Sequence, residues 1–248
     1  MKDVNEADAL ETSLVNARTM KIGCIGAGNM ARVLGTLWAE KGHELFFGSR
    51  DLTKACLLAD FVGHGAQAGS FAEAAQFGDV VLLAVHWEGV KNALELAGSL
   101  QGKILVDCNN AVDHQNFELA MGFSTSLAEE IAKVVPGAKV VKAFNTLFQE
   151  VFELEEAQRR SHQVTCFICG DDDEAKAVLA CLADEIGFVP VDVGALNKAR
   201  LVEPMANLII YLGWVRGFGS NVAINVQKLP KPQFEHLSGW QEDDRLSQ

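Results

Sequence analysis

The sequence predicts an α/β fold of the Rossmann type: a doubly wound, mostly parallel sheet with a small C-terminal strand-helix extension. Two observations carry the prediction. Lys21-Ile22-Gly23-Cys24-Ile25 runs into Gly26-x-Gly28-x-x-Ala31 and then an apolar helical pattern, the strand–turn–helix order that a dinucleotide site requires. Further along, apolar runs of strand length alternate with amphipathic stretches of helix length, as in parallel strands joined by right-handed crossovers.

Residues 1–19 are acidic and polar and read as a frayed leader with no catalytic role. Met20-Lys21 is a natural start for the domain, and an alternative translation start at Met20 fits the same pattern. Gly26 permits the tight turn after the first strand, and Gly28 lets the backbone approach a pyrophosphate closely. Ala31 is small enough for the helix to pack on the strand. That helix, over residues 30–41 with Gly42 as its stop, offers unpaired N–H groups and a partial positive charge to phosphates.

The second strand is the run at 43–48. NAD-preferring folds end this strand with an acid that binds the ribose 2′-hydroxyl. Here Gly48-Ser49-Arg50 stands there, with Lys54 four residues on. A hydroxyl, a guanidinium fork and an ammonium suit a 2′-phosphate, so the expected cofactor is NADP(H). The plain alternative is a solvated strand end leading into a basic helix start.

Continuous apolar runs at 80–85, 103–108 and 138–144 suit parallel strands buried on both faces. Amphipathic stretches at 89–100 and 126–134 lie between them. Strand-like runs at 164–169 and 189–193 bracket a helix over 173–186, and residues 199–215 read as one more helix. The domain reading is therefore a leader at 1–19, an NADP-binding domain at 20–160 and a small extension at 161–248 packed on the same sheet.

Composition points to a cytoplasmic enzyme. The chain has 248 residues, 49% of them hydrophobic, ample for one large α/β domain. A net charge of −12 without any basic stretch argues against nucleic-acid binding. No apolar run reaches the roughly 18–20 residues that span a bilayer, so no membrane partner is expected. Six cysteines scattered mostly through apolar strands fit reduced, buried thiols.

The fingerprint, the Gly48-Ser49-Arg50-x-x-x-Lys54 segment and Trp87-Glu88 together resemble one family. It is the NADP oxidoreductases dependent on the deazaflavin coenzyme F-420, with related dinucleotide-binding reductases. Val141-Lys142-Ala143-Phe144-Asn145-Thr146-Leu147 is similar to that group's late-strand motif. Cys169-Gly170-Asp171-Asp172-Asp173-Glu174-Ala175-Lys176 and Asn197-x-x-Arg200-Leu201-Val202-Glu203 resemble its C-terminal signatures. The likeness covers residues 20–228. The ferric reductase domains of the STEAP proteins are similar in the same segments, and the nucleotide-binding half is shared with pyrroline-5-carboxylate reductase-like proteins.

The resemblance implies a set of roles. The backbone around Gly28, Asn29 and Met30 would hold the pyrophosphate, and Ser49, Arg50 and Lys54 the 2′-phosphate. Ala84, Val85 and His86 would border the nicotinamide ribose and ring, with Ala143, Phe144, Asn145 and Thr146 lining the pocket opposite. The second substrate would be coenzyme F-420, FMN, FAD or a similar small acceptor. Where the family pattern has proline before Trp-Glu, this chain has His86, which restores an N–H and adds a titratable ring near the expected hydride. It is read either as a proton donor or as a tolerated loop residue. Asn145 and Thr146 are read as orienting the carboxamide or the acceptor, or else as capping the following turn. A segment near residues 113–123 is often shorter in relatives and bears on the acceptor side.

Hydride transfer between two rings needs positioning rather than a nucleophile or a metal, and none is expected here. Asp171-Asp172-Asp173-Glu174 precedes a helical pattern and reads as a capping run. Cys166-x-x-Cys169 lies within a strand-like run, which is the wrong context for a lowered thiolate pKa. The stretch 213–221, with Trp214 and Phe218, is read as buried against the sheet, an acceptor or subunit contact being the other account. Two further classes stay open: an imine or carbonyl reductase, and a non-catalytic NADP(H) sensor. A homodimer through the C-terminal helix is one arrangement the pattern allows.

Overall fold

The computed structural model describes residues 19–113 and 115–230; nearly all of the leader read at 1–19 lies outside them. Eight strands form one sheet in the order β3-β2-β1-β4-β5-β6-β7-β8. They are β1 (Lys21–Ile25), β2 (Glu44–Gly48), β3 (Gln67–Gly69), β4 (Val80–Leu83), β5 (Ile104–Asp107), β6 (Lys139–Lys142), β7 (Thr165–Gly170) and β8 (Val189–Asp192). The first six are parallel in the Rossmann order 3-2-1-4-5-6. Strand β7 runs antiparallel to β6, pairing Val141 with Gly170 and Lys142 with Cys169, and β8 is parallel to β7.

Helices α1 (Asn29–Glu40), α2 (Leu52–Val62), α3 (Phe71–Phe77), α4 (Val90–Ala97), α5 (Leu127–Val134), α6 (Gln149–Phe152), α7 (Glu156–Ser161), α8 (Asp173–Asp184) and α9 (Ala199–Ile210) connect or cover the strands. The last continues as a π-helical turn, Tyr211–Val215. Side chains alternate across the sheet. Val80 and Leu82 join the core around Trp38, Phe47, Phe144 and Phe188, whereas Val81 and Leu83 join the one around Phe71, Leu94 and Ile131. Both faces are therefore covered, as the unbroken apolar runs require.

Four elements escaped the sequence reading: β3, α3, α6 and α7. Strand β3 has three residues, Gln-Ala-Gly, and no apolar run. Helix α3 spans seven residues, and its plainest signal is the capping box between Ser70 and Glu73. The predicted runs at 80–85, 103–108 and 138–144 shorten to β4, β5 and β6. Their last residues leave the sheet at its carboxyl edge, next to the point where the order reverses between β1 and β4. Open α/β sheets bind ligands at that place.

Candidate active site

The turn after β1 is shaped by Gly26, whose φ of +126° suits glycine, and a Cβ there would lie 2.2 Å from the Ala84 carbonyl oxygen. Gly28 is different. Its φ of −99° is open to any residue, and an added Cβ would meet nothing within 4 Å. No neighbouring protein atom therefore demands a glycine there. Helix α1 starts at this point with no side-chain cap and no acid in its first turn. Its first N–H groups are left for an anion, and Ala31 is fully buried against the sheet behind them. These features fit a dinucleotide pyrophosphate.

At the end of β2, Ser49 donates its N–H to the Gly69 carbonyl (3.0 Å) and Ser49 Oγ accepts from Asp51 N (3.1 Å). Arg50 and Lys54 are exposed. Asp51, an acid beside this basic cluster, accepts from Thr53 N at 3.1 Å and Lys54 N at 3.4 Å as the N-cap of α2. Capping turns the carboxylate toward the helix backbone.

Gly28, Asn29, Met30, Ala84, Val85 and His86 border a cleft of about 610 Å³, with Asn145 and Thr146 on the opposite wall. Ser49 and Arg50, just past β2, and Lys54, in the first turn of α2, lie outside this cleft, while Gly26, Ala31 and Ala143 are not among its lining. His86 exposes about half its side chain, and its Nδ1 lies 3.6 Å from Glu88 Oε2. Its φ of −59° is a proline angle, so backbone conformation does not distinguish the family's proline from this histidine.

The wall opposite turns on Phe144. Its φ is +63°, the left-handed region that bulky residues rarely occupy, while its ring is locked among Trp38, Phe152 and Phe188. The kink leads into Asn145 and Thr146, both buried. Asn145 Nδ2 donates to Asn110 Oδ1 at 2.9 Å, yet Asn145 Oδ1 and Thr146 Oγ1 have no hydrogen-bond partner among the described residues. Phe148 is the N-cap residue of α6 and no side chain caps that helix, so the turn-capping account of Asn145 and Thr146 is corrected. Buried polar atoms without partners at a cleft are places where a ligand completes the bonding.

Beneath the cleft lies a cluster that the sequence reading missed. Lys142 Nζ is 2.8 Å from Asp107 Oδ2 and 2.8 Å from Glu203 Oε1, and donates to the Asn109 carbonyl at 2.5 Å. Glu203 also accepts from Leu127 N (2.9 Å) and Ala128 N (3.1 Å), capping α5 from a distant helix. Burial alone would lower the Lys142 pKa, but the two carboxylates outweigh it and push it up to about 12. A usable signal was present: Asp107 and Lys142 are charges inside otherwise apolar central strands, and such charges must pair.

The remaining sequence features resolve simply. Cys166 and Cys169 enter opposite cores, and burial pushes both thiols up to about 12. Cys108 reaches the cleft, but burial and then Asp107 push its thiol up to about 12 as well, so it is no thiolate nucleophile. Asp172 caps α8 through Ala175 N and pairs with Lys139 at 2.9 Å. Trp214 and Phe218 are 52% and 69% exposed, so burial of the 213–221 stretch against the sheet is corrected. Trp214 instead lines the cleft, as the acceptor-contact account allows, beside Asn110 and Phe148, which the sequence reading did not place there. No helix among the described residues is long and apolar enough to cross a membrane.

Comparison with known proteins adds to this geometry. The family model described as "NADP oxidoreductase coenzyme F420-dependent" matches residues 21–111. The F420-dependent NADP reductase of Methanocaldococcus jannaschii is 30% identical over 195 residues, covering 75% of this chain and 83% of that protein. Metalloreductase STEAP3 of Rattus norvegicus is 34% identical over 183 residues, covering 74% of this chain and 36% of its own length. The chain thus spans little more than a third of the metalloreductases it matches. Among solved structures, a proposed F420-dependent NADP reductase from Arthrobacter sp. FB24 superposes with a TM-score of 0.76. It is 28% identical, with 84% of this chain and 100% of that chain covered.

Proposed function

This chain belongs to the family of coenzyme F420-dependent NADP oxidoreductases, and on that premise we propose that it moves hydride between NADP(H) and a deazaflavin or flavin ring held in the cleft. The observation that carries the reading is the open start of α1. A Cβ added at Gly28 would meet no described atom within 4 Å, at a helix N-terminus with no side-chain cap.

NADPH supplies the hydride when bound, and the residues of this chain bind and orient. Backbone N–H groups at Asn29 and Met30 hold the pyrophosphate. Ser49 Oγ, Arg50 and Lys54 hold the 2′-phosphate, with the Asp51 carboxylate occupied by its cap. Ala84 and Val85 border the nicotinamide ribose. Asn145 Oδ1 and Thr146 Oγ1, which lack partners among the described residues, would orient the nicotinamide carboxamide or the acceptor. His86, which lines the cleft, would give a proton to an acceptor that takes one. A cleft of about 610 Å³ leaves room for a second small molecule, which weighs against a cofactor sensor without turnover. Six free cysteines, all but Cys56 buried, suit the cytoplasm as the place of reaction.

Anaerobic NADPH oxidation, with coenzyme F-420, FMN and FAD offered in parallel and NADH as control, tests the reading. Turnover with one of them, faster with NADPH than with NADH, is expected. NADPH binding without turnover of any ring acceptor would overturn it in favour of an imine or carbonyl substrate.

A further inference from the structure

Beside the cleft, in contact with its Trp214, lies a hairpin that hydride transfer itself does not require. After β5 the chain folds back on itself through an antiparallel bridge between Val112 and Leu119. Asp113 N donates to Glu118 O and Ala120 N to Ala111 O, each at 2.8 Å. Trp87 Nε1 donates to the Val112 carbonyl at 3.1 Å, which ties this hairpin to the turn that carries His86. Phe117, near the hairpin tip, holds a φ of +58°, and its ring meets Trp214 edge-on at 5.5 Å. Phe148 meets the same indole at 5.6 Å from the segment after β6. Trp214 and Phe148 both line the cleft, yet Trp214 remains 52% exposed. A tryptophan braced by two rings from distant segments, with half its surface left open at a cleft by the described residues, is a fixed aromatic face.

We propose that Trp214, braced by Phe117 and Phe148, is the stacking platform for the fused three-ring system of the acceptor, and that the hairpin selects among such rings. The inference rests on the hydride-transfer reading above and adds to it the element that chooses the substrate. An isoalloxazine or its deaza analogue is planar and broad, and offset or edge contact with an aromatic face suits it. A small imine or carbonyl compound has no such face. The hairpin, through Phe117, sets the tilt of the indole, and with it the ring that fits.

Equilibrium dialysis of FMN, FAD and coenzyme F-420 against the NADP⁺-loaded full chain tests this directly, without depending on turnover. Trp214→Ala is expected to weaken the best-bound ring about tenfold or more, as loss of a stacking face does elsewhere. Trp214→Phe should stay within about threefold of wild type, because a stacking face remains. Phe117→Ala should alter the ranking of the three compounds, and the NADP⁺ dissociation constant should be the same in every variant. Equal ring binding by wild type and Trp214→Ala overturns the platform, as does failure of the wild-type protein to bind any of the three. Should Trp214→Ala not fold, an unchanged ranking in Phe117→Ala overturns the hairpin's role. Ring binding without NADPH turnover would sink the hydride-transfer reading and leave the platform standing; turnover with an unaltered KM in Trp214→Ala would do the reverse.

Discussion

Asn110 and Asn145 hold each other in a reciprocal pair: Asn110 Nδ2 donates to the Asn145 carbonyl at 2.7 Å, and Asn145 Nδ2 returns a bond to Asn110 Oδ1 at 2.9 Å. The pair joins the segments that leave β5 and β6, and it fixes the amide of Asn145 with Oδ1 left over. If that oxygen meets the nicotinamide carboxamide, Asn110→Ala and Asn145→Ala should each weaken NADPH binding by roughly 5- to 10-fold, the size of one net hydrogen bond. The two losses should not add: a double-mutant cycle on the NADPH dissociation constant should return a coupling of about 1 kcal/mol. Simple additivity would show that Asn110 positions nothing.

Gly28→Ala separates binding from folding. The new methyl enters open space and the backbone angle is ordinary, so the melting temperature should stay within a degree or two of wild type. The methyl would nonetheless occupy the ground where a pyrophosphate approaches the helix start, and NADPH affinity should fall by about tenfold or more. A variant that binds NADPH normally would remove the main support for the cofactor site.

Local signals were legible in the sequence and distant partnerships were not. Gly26-x-Gly28 announces a turn within a few residues, and the unbroken apolar runs announce buried parallel strands. The left-handed angle of Phe144 has no local cause; it is held by an aromatic core drawn from α1, α6 and the segment after α8. Glu203 looks like one more acid on an amphipathic helix until the fold brings it to Lys142 and to the start of α5. Asp51, which the sequence reading passed over, gains meaning beside Arg50 and Lys54 only once its carboxylate is seen to turn to the α2 backbone. Trp214 needed a hairpin far back in the sequence to become an exposed, braced ring.

Arg50→Ala tests the choice between the two nicotinamide cofactors. A charge-assisted bond to a 2′-phosphate is worth about 10- to 100-fold in affinity, so NADPH binding should fall by that factor while NADH binding barely changes. Isothermal titration with both cofactors reads the difference. Equal losses would place Arg50 on a group that both share. Asp51→Ala should act otherwise, lowering stability by about 1 kcal/mol through the lost cap of α2.

Lys142 lies between two carboxylates in a site without solvent exposure, and removing its charge leaves both carboxylates unneutralised. Breaking a buried ion cluster in this way costs about 3–5 kcal/mol, so Lys142→Met should melt roughly 10 °C or more below wild type. The deficit should depend on pH on the alkaline side. The folded-state pKa of Lys142 is raised to about 12, so its stabilisation is fully present below its ordinary value near 10.5 and is lost as pH climbs from there through 12. The gap between wild type and variant should therefore narrow over that interval. Melting curves taken across pH for both proteins check this, and a gap independent of pH would mean that packing of the lysine stem, rather than its charge, stabilises the floor of the cleft.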